Sequence, residues 1–149
     1  MHHEPRASAE DDAIRRLGEA FLGLELPKMA WTHEAHLVTC AWIIIERPDI
    51  NPEEALPELI RRYNLSAGGI NSDTEGYHET ITQASILGIR HALRRSEGLG
   101  LSDRINTLLH APEGHRNWLL EYYSRERLFS KEARLGWVEP DLQSLPGSD

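Results

Sequence analysis

Two short strings carry the residues best suited to chemistry: His33-Glu34-Ala35-His36 and Tyr77-His78-Glu79. Imidazole is the commonest protein ligand for divalent transition metals, and a neighbouring carboxylate can complete such a site. At about 100° per residue on a helical wheel, with His33 at 0°, His36 falls at about 300°, Cys40 at about 340° and Leu37 at about 40°. Both histidines therefore share the apolar stripe, with Thr39 and Glu46 opposite. On a second wheel, His78 falls among Ile81, Ser85, Ile89 and Ala92, Glu79 lies at the stripe's edge, and His91 joins Gln83 and Arg94 on the polar side.

Three inward imidazoles each need a partner, because a polar ring buried unpaired is costly. One shared ion would serve all three. The pattern predicts a divalent transition metal (Zn, Fe or Ni) held by His33, His36 and His78. Glu79 is the fourth ligand or a catalytic base, with Tyr77 beside it as a second catalytic group. Tyr63, Asn71, Cys40 and Thr82 are placed on the substrate side. The reaction class is metal-assisted chemistry on a small polar molecule, with hydrolysis, isomerisation and oxygenation undivided. Two readings of other classes stand beside it. One is a binding module without catalysis, whose histidines hydrogen-bond an anionic ligand such as a carboxylate or phosphate. The other is a structural or regulatory homodimer that uses Trp42 and the aromatic tail. Stoichiometric metal, a ligand-induced rise in melting temperature and a concentration-dependent mass separate the three.

The elements that must position these residues read as helices. Ala13, Leu17, Ala20 and Phe21 recur at helical spacing over residues 9–23. Thr32 caps a second helix, His33 to Glu46, which Pro48 stops. Asn51, Pro52 and Glu54 open a third, which Pro57 kinks. Residues 64–76 form a loop centred on Gly68-Gly69, with Ser72 or Asp73 and Glu75 as a capping box for a fourth helix over about 75–97. Ser102 caps a fifth, residues 115–124 form a sixth, and 130–135 one more short turn. No strand alternation and no internal repeat occurs. The class is all-α: a compact single-domain bundle of five to seven helices over 9–135, after a mobile segment 1–8 and before an extended tail 136–149.

Composition narrows the partners. The chain has 149 residues and a net charge of −8, a poor match to nucleic-acid phosphates or an anionic membrane. Its single Cys excludes an intramolecular disulfide and any multi-cysteine metal site. The longest apolar run, Ala41 to Ile45, is far short of a membrane span, and the opening residues lack the apolar stretch of a secretory signal. The expectation is a cytoplasmic protein with a small-molecule partner.

The strings Trp31-Thr32-His33-Glu34-Ala35-His36-Leu37 and Gly76-Tyr77-His78-Glu79-Thr80-Ile81-Thr82 resemble those of an uncharacterised family of small bacterial helical proteins. Tyr63-Asn64 and the closing Trp137-Val138-Glu139-Pro140-Asp141 fit the same pattern. The resemblance runs from about Phe21 onward and implies that the chain is one unit. The family carries no established activity. The paired helices with inward histidines also resemble the small metal-binding bundles of the DinB-like class, with a different ligand spacing.

Overall fold

Local capping signals set most of the helix boundaries. The computed structural model describes residues 4–147. It contains α1 (Glu4–Leu22), α2 (His33–Glu46), α3 (Pro52–Ser66), α4 (Glu79–Leu93), α5 (Leu101–His110), α6 (Arg125–Leu128) and α7 (Lys131–Leu135), with 3₁₀ turns at Lys28–Ala30, Arg94–Ser96, Pro112–Gly114 and Trp118–Glu121. No strand occurs among the described residues. The Thr32 hydroxyl accepts from Ala35 N at 3.1 Å and starts α2. The Asn51 amide oxygen accepts from Glu54 N at 3.3 Å and starts α3, with Pro52 at its first position.

α2 is the central rod. Ala41 and Ile43 are fully buried and Trp42 is 2% exposed, so apolar contacts surround the helix instead of forming one stripe. Thr39, expected on a polar face, is 1% exposed. Trp42, a candidate dimer contact on the sequence, instead packs inside the molecule against α1. A Cβ on Gly18 would lie 2.1 Å from Trp42 Cε3. The Trp42 indole N–H donates to Glu46 Oε1 at 3.2 Å.

α3 and α4 are tied by an unusual bond. Pro57 lies inside α3 and has no N–H, so the Glu53 carbonyl lacks its usual partner in the helix. Gln83 Nε2, on α4, donates to that carbonyl at 2.9 Å. The Glu53 carboxylate in turn accepts from Arg90 Nε at 2.7 Å and Nη2 at 2.9 Å.

Three boundaries differ from expectation. α4 starts at Glu79, and its cap is His78. Ser72 does accept from the N–H groups of Thr74 and Glu75, at 3.2 and 3.1 Å, but it closes a turn in the loop and no helix follows. α5 has Gly100 at its cap position, and Ser102 instead donates its N–H to Asp11 of α1 at 2.9 Å. Residues 115–124 do not form one helix. The His115 ring accepts from Asn117 N at 3.0 Å, and only a 3₁₀ turn, Trp118–Glu121, follows.

The expected tail is described as far as residue 147. Residues 136–147 contain no helix, yet they fold back onto the 118–129 segment. Tyr123 donates to Val138 O at 2.8 Å, Leu142 N donates to Tyr122 O at 2.9 Å, and Leu145 is 4% exposed. At the other end α1 is already helical at Glu4, inside the stretch expected to be mobile, and His2 and His3 lie outside the described residues. No helix among the described residues is long and apolar enough to cross a membrane.

Candidate functional site

The three histidines do not meet at one point. His78 occupies the cap position of α4, where its Nδ1 accepts from Ile81 N at 3.1 Å. That bond places the ring proton on Nε2, which donates to Leu128 O at 2.8 Å. Both nitrogens are committed to backbone, so neither has a lone pair to offer an ion. Burial pushes the His78 pKa below its ordinary value, with the bond to Leu128 opposing.

Glu79 and Tyr77 pair with one another. The Tyr77 hydroxyl donates to Glu79 Oε1 at 2.5 Å. Burial, and then this bond, holds the phenol well above its ordinary range. The Arg61 guanidinium covers the Tyr77 ring at 4.4 Å. Neither residue lines a cavity with His33 or His36. Among the described residues no group of three or more His, Cys, Asp or Glu is arranged to hold a metal ion. The expected centre of His33, His36, His78 and Glu79 therefore does not assemble.

Two of the four residues expected on the substrate side are also structural. Asn71 pins the loop before α4: its Oδ1 accepts from Asn64 Nδ2 and from Tyr77 N, both at 3.0 Å, and its Nδ2 donates to Arg61 O at 3.0 Å. Tyr63 is 1% exposed, donates to Leu26 O at 2.9 Å and packs on Phe21 and Trp31. Cys40 and Thr82 do line a cavity, and so do His33 and His36.

That cavity has a volume of about 410 Å³. α2 contributes His33, His36, Leu37, Thr39 and Cys40 to it, residues that recur at helical spacing. α3 contributes Leu56 and Ile60. α4 contributes a stripe from Ile81 and Thr82 through Ser85 to Ile89. The irregular segment 113–120, with Leu128 and Phe129, makes the remaining wall. Trp118 of that wall seats on Gly88 of α4, where a Cβ would lie 2.5 Å from the indole Cζ3. No other residue type allows that approach. Glu113, at 9% exposure, also lines the cavity. Burial pushes its carboxyl up, but bonds from Arg95 at 2.8 and 3.2 Å outweigh this and leave it below the usual carboxylate range.

The polar groups on the inner wall are of two kinds. His33 Nε2 is satisfied by Gly114 O at 3.2 Å. Glu113 and the His115 ring are also partnered, by Arg95 and by Asn117 N, whereas His36, Thr39 and Trp31 have no protein partner among the described residues. His36 stacks on Trp31 with ring centroids 3.9 Å apart, and its nitrogens make no hydrogen bond with any described residue. The ring is exposed toward the cavity and crowded by protein on its other sides. That crowding, and then nearby His33, pushes its pKa down to about 4, so it is neutral near pH 7. The Thr39 hydroxyl and the Trp31 indole N–H are buried and without a hydrogen-bond partner. Burial pushes the Cys40 thiol up to about 12, which removes it as a thiolate nucleophile near neutral pH.

The sequence reading missed Trp118, Ser85 and the 113–120 wall as site residues. The pairing of Gly88 with a bulky aromatic was the available signal, but it names no partner on its own. The arrangement can enclose a molecule of roughly a dozen non-hydrogen atoms, taking about 30 Å³ for a water-sized unit. It offers such a molecule apolar walls, the unpartnered imidazole of His36 and no activated nucleophile. Comparison with known protein families, curated proteins and solved structures finds no match for this chain.

Proposed function

We propose that this protein is a small-molecule binding module whose ligand sits in the cavity between α2, α3 and α4. The observation that carries the reading is the cavity of about 410 Å³. Its size lies in the range of ligand pockets, and apolar side chains with a few convergent polar groups line it. The ligand's body is apolar, facing Leu56, Ile60 and Ile89.

A hydrocarbon probe tests the reading. Isopentylbenzene at about a hundred times its dissociation constant should raise the melting temperature by roughly 5–10 °C. Ser85→Phe, which puts a ring into the cavity, should abolish the shift and leave the free protein folded. A wild-type melting temperature unmoved by the probe, or a shift that survives Ser85→Phe, overturns the reading.

A further inference from the structure

The cavity lining changes character between its buried and its exposed members. Leu37, Leu56, Ile86, Ile89, Trp118 and Leu119 are buried. The members exposed to solvent are His36, His115, Arg116, Asn117 and Phe129, all polar but the last. Two walls meet at these polar groups. The His33 ring bonds Gly114 O at 3.2 Å, so the stretch from His115 to Asn117 leaves from beside the first turn of α2, which bears His36. Arg116 also stands only two residues before Trp118, whose indole makes part of the buried wall. A ligand that fills the apolar depth therefore presents its other end to polar side chains that solvent, and so a ligand, can reach.

The charge of that end follows from how the ionisable groups of the lining are used. Glu113 is its only carboxylate, and Arg95, which stands outside the lining, holds it through bonds at 2.8 and 3.2 Å. Arg116 is its only Lys or Arg, and the guanidinium makes no ion pair or hydrogen bond with any described residue. With Glu113 neutralised from outside, Arg116 is an unanswered positive charge beside apolar space, in a chain whose net charge is −8. Its neighbour His115 offers a donor as well: Nδ1 accepts from Asn117 N, which places the ring proton on Nε2. A guanidinium fork matches a carboxylate in shape and in charge. A phosphate dianion would bring a second charge for which the lining holds no cation. Resting on the binding-module reading, we infer that the ligand is an apolar monocarboxylate, with its body in the cavity and its carboxylate on the guanidinium of Arg116.

Three molecules of one shape test this on the full chain: 3-phenylpropionate, 3-phenylpropionamide and isopentylbenzene. They share a phenethyl body and differ in a carboxylate, a neutral amide or a branched alkyl end. Calorimetric titration near neutral pH should show the acid binding about three- to tenfold more tightly than the amide, the worth of a partly exposed charge-assisted pair. Raising the salt from about 50 to about 500 mM should shrink that preference and leave the amide unmoved. Arg116→Gln removes an exposed group that has no partner, so the fold should be retained. It should level acid and amide and leave isopentylbenzene affinity unchanged. Arg116→Lys should keep part of the preference. Ser85→Phe, which puts a ring into the cavity, should abolish binding of the acid. Acid and amide binding alike in the wild type, a preference that survives Arg116→Gln, or acid binding that survives Ser85→Phe overturns the inference, while the binding module stands on its isopentylbenzene shift. Failure of all three to bind overturns both.

Discussion

The imidazole of His36 lies on the indole of Trp31, with ring centroids 3.9 Å apart and planes inclined by 29°. Trp31 also stacks on Phe21, at 4.5 Å and 11°. The three rings form a ladder from the core, where Phe21 is 1% exposed, to the cavity, where His36 meets solvent. Such stacks contribute about 0.5–1.5 kcal/mol per pair beyond their buried area. A neutral imidazole suits this place, and its low pKa follows from it.

The sign of the pH effect is fixed by that shift. In the unfolded chain His36 titrates near 6.5, and in the fold near 4. Between these values the unfolded chain binds more protons, so stability falls as pH drops from about 6.5 toward about 4. His78 adds in the same direction, because its pKa is also lowered. Melting temperatures measured from pH 7.5 to 4.5 should fall less steeply in His36→Gln than in the wild type. Parallel curves would show that His36 is not held neutral by the fold.

His78 is expected to matter for the helix and not for an ion. His78→Ala removes the α4 cap and leaves the Leu128 carbonyl unpartnered, a loss of about 2 kcal/mol. His78→Asn should recover the cap portion only, since its shorter amide does not span to Leu128. Chemical denaturation of the two variants distinguishes cap from tether. Equal losses would mean that the tether, not the cap, carries the stability.

Metal analysis addresses the rival centre directly. Protein purified without an affinity tag should carry less than about a tenth of an equivalent of zinc, iron or nickel, before and after reloading. One equivalent that is lost in His33→Ala or His36→Ala would restore a metal function and displace the binding-module reading.

Gly88 sets the distance between α4 and the irregular wall. Gly88→Ala places a methyl 2.5 Å from Trp118 and must push the indole aside. The cost is about 1–3 kcal/mol from overpacking. The displaced wall should also weaken isopentylbenzene binding. A variant with unchanged stability and unchanged binding would show that the wall yields freely.

The bundle was legible where signals are local. Thr32 before the histidine pair and Pro48 after it bound α2 correctly, because a cap and a stop act on adjacent residues. The start of α4 was not legible. Its cap is a histidine, a residue outside the usual capping set, while the Ser72 turn imitates a helix start. For the site, helical spacing rightly put His33, His36 and Cys40 on one face of α2. It could not say what stood across from that face. His78 points inward as expected, but toward Leu128, because no wheel encodes how neighbouring helices are placed in depth. The wall at 113–120 was invisible for a related reason: its residues converge through turns that carry no period.

Pro57 has an effect beyond its own helix. Its missing N–H leaves the Glu53 carbonyl to Gln83, and the Glu53 carboxylate goes to Arg90, so one residue fastens both its ends to the neighbouring rod. Sliding α3 along α4 by a single residue would break all of these bonds together. The proline thus acts as a register pin, and the gap that Leu56 and Ile60 share with Ile89 keeps a constant width.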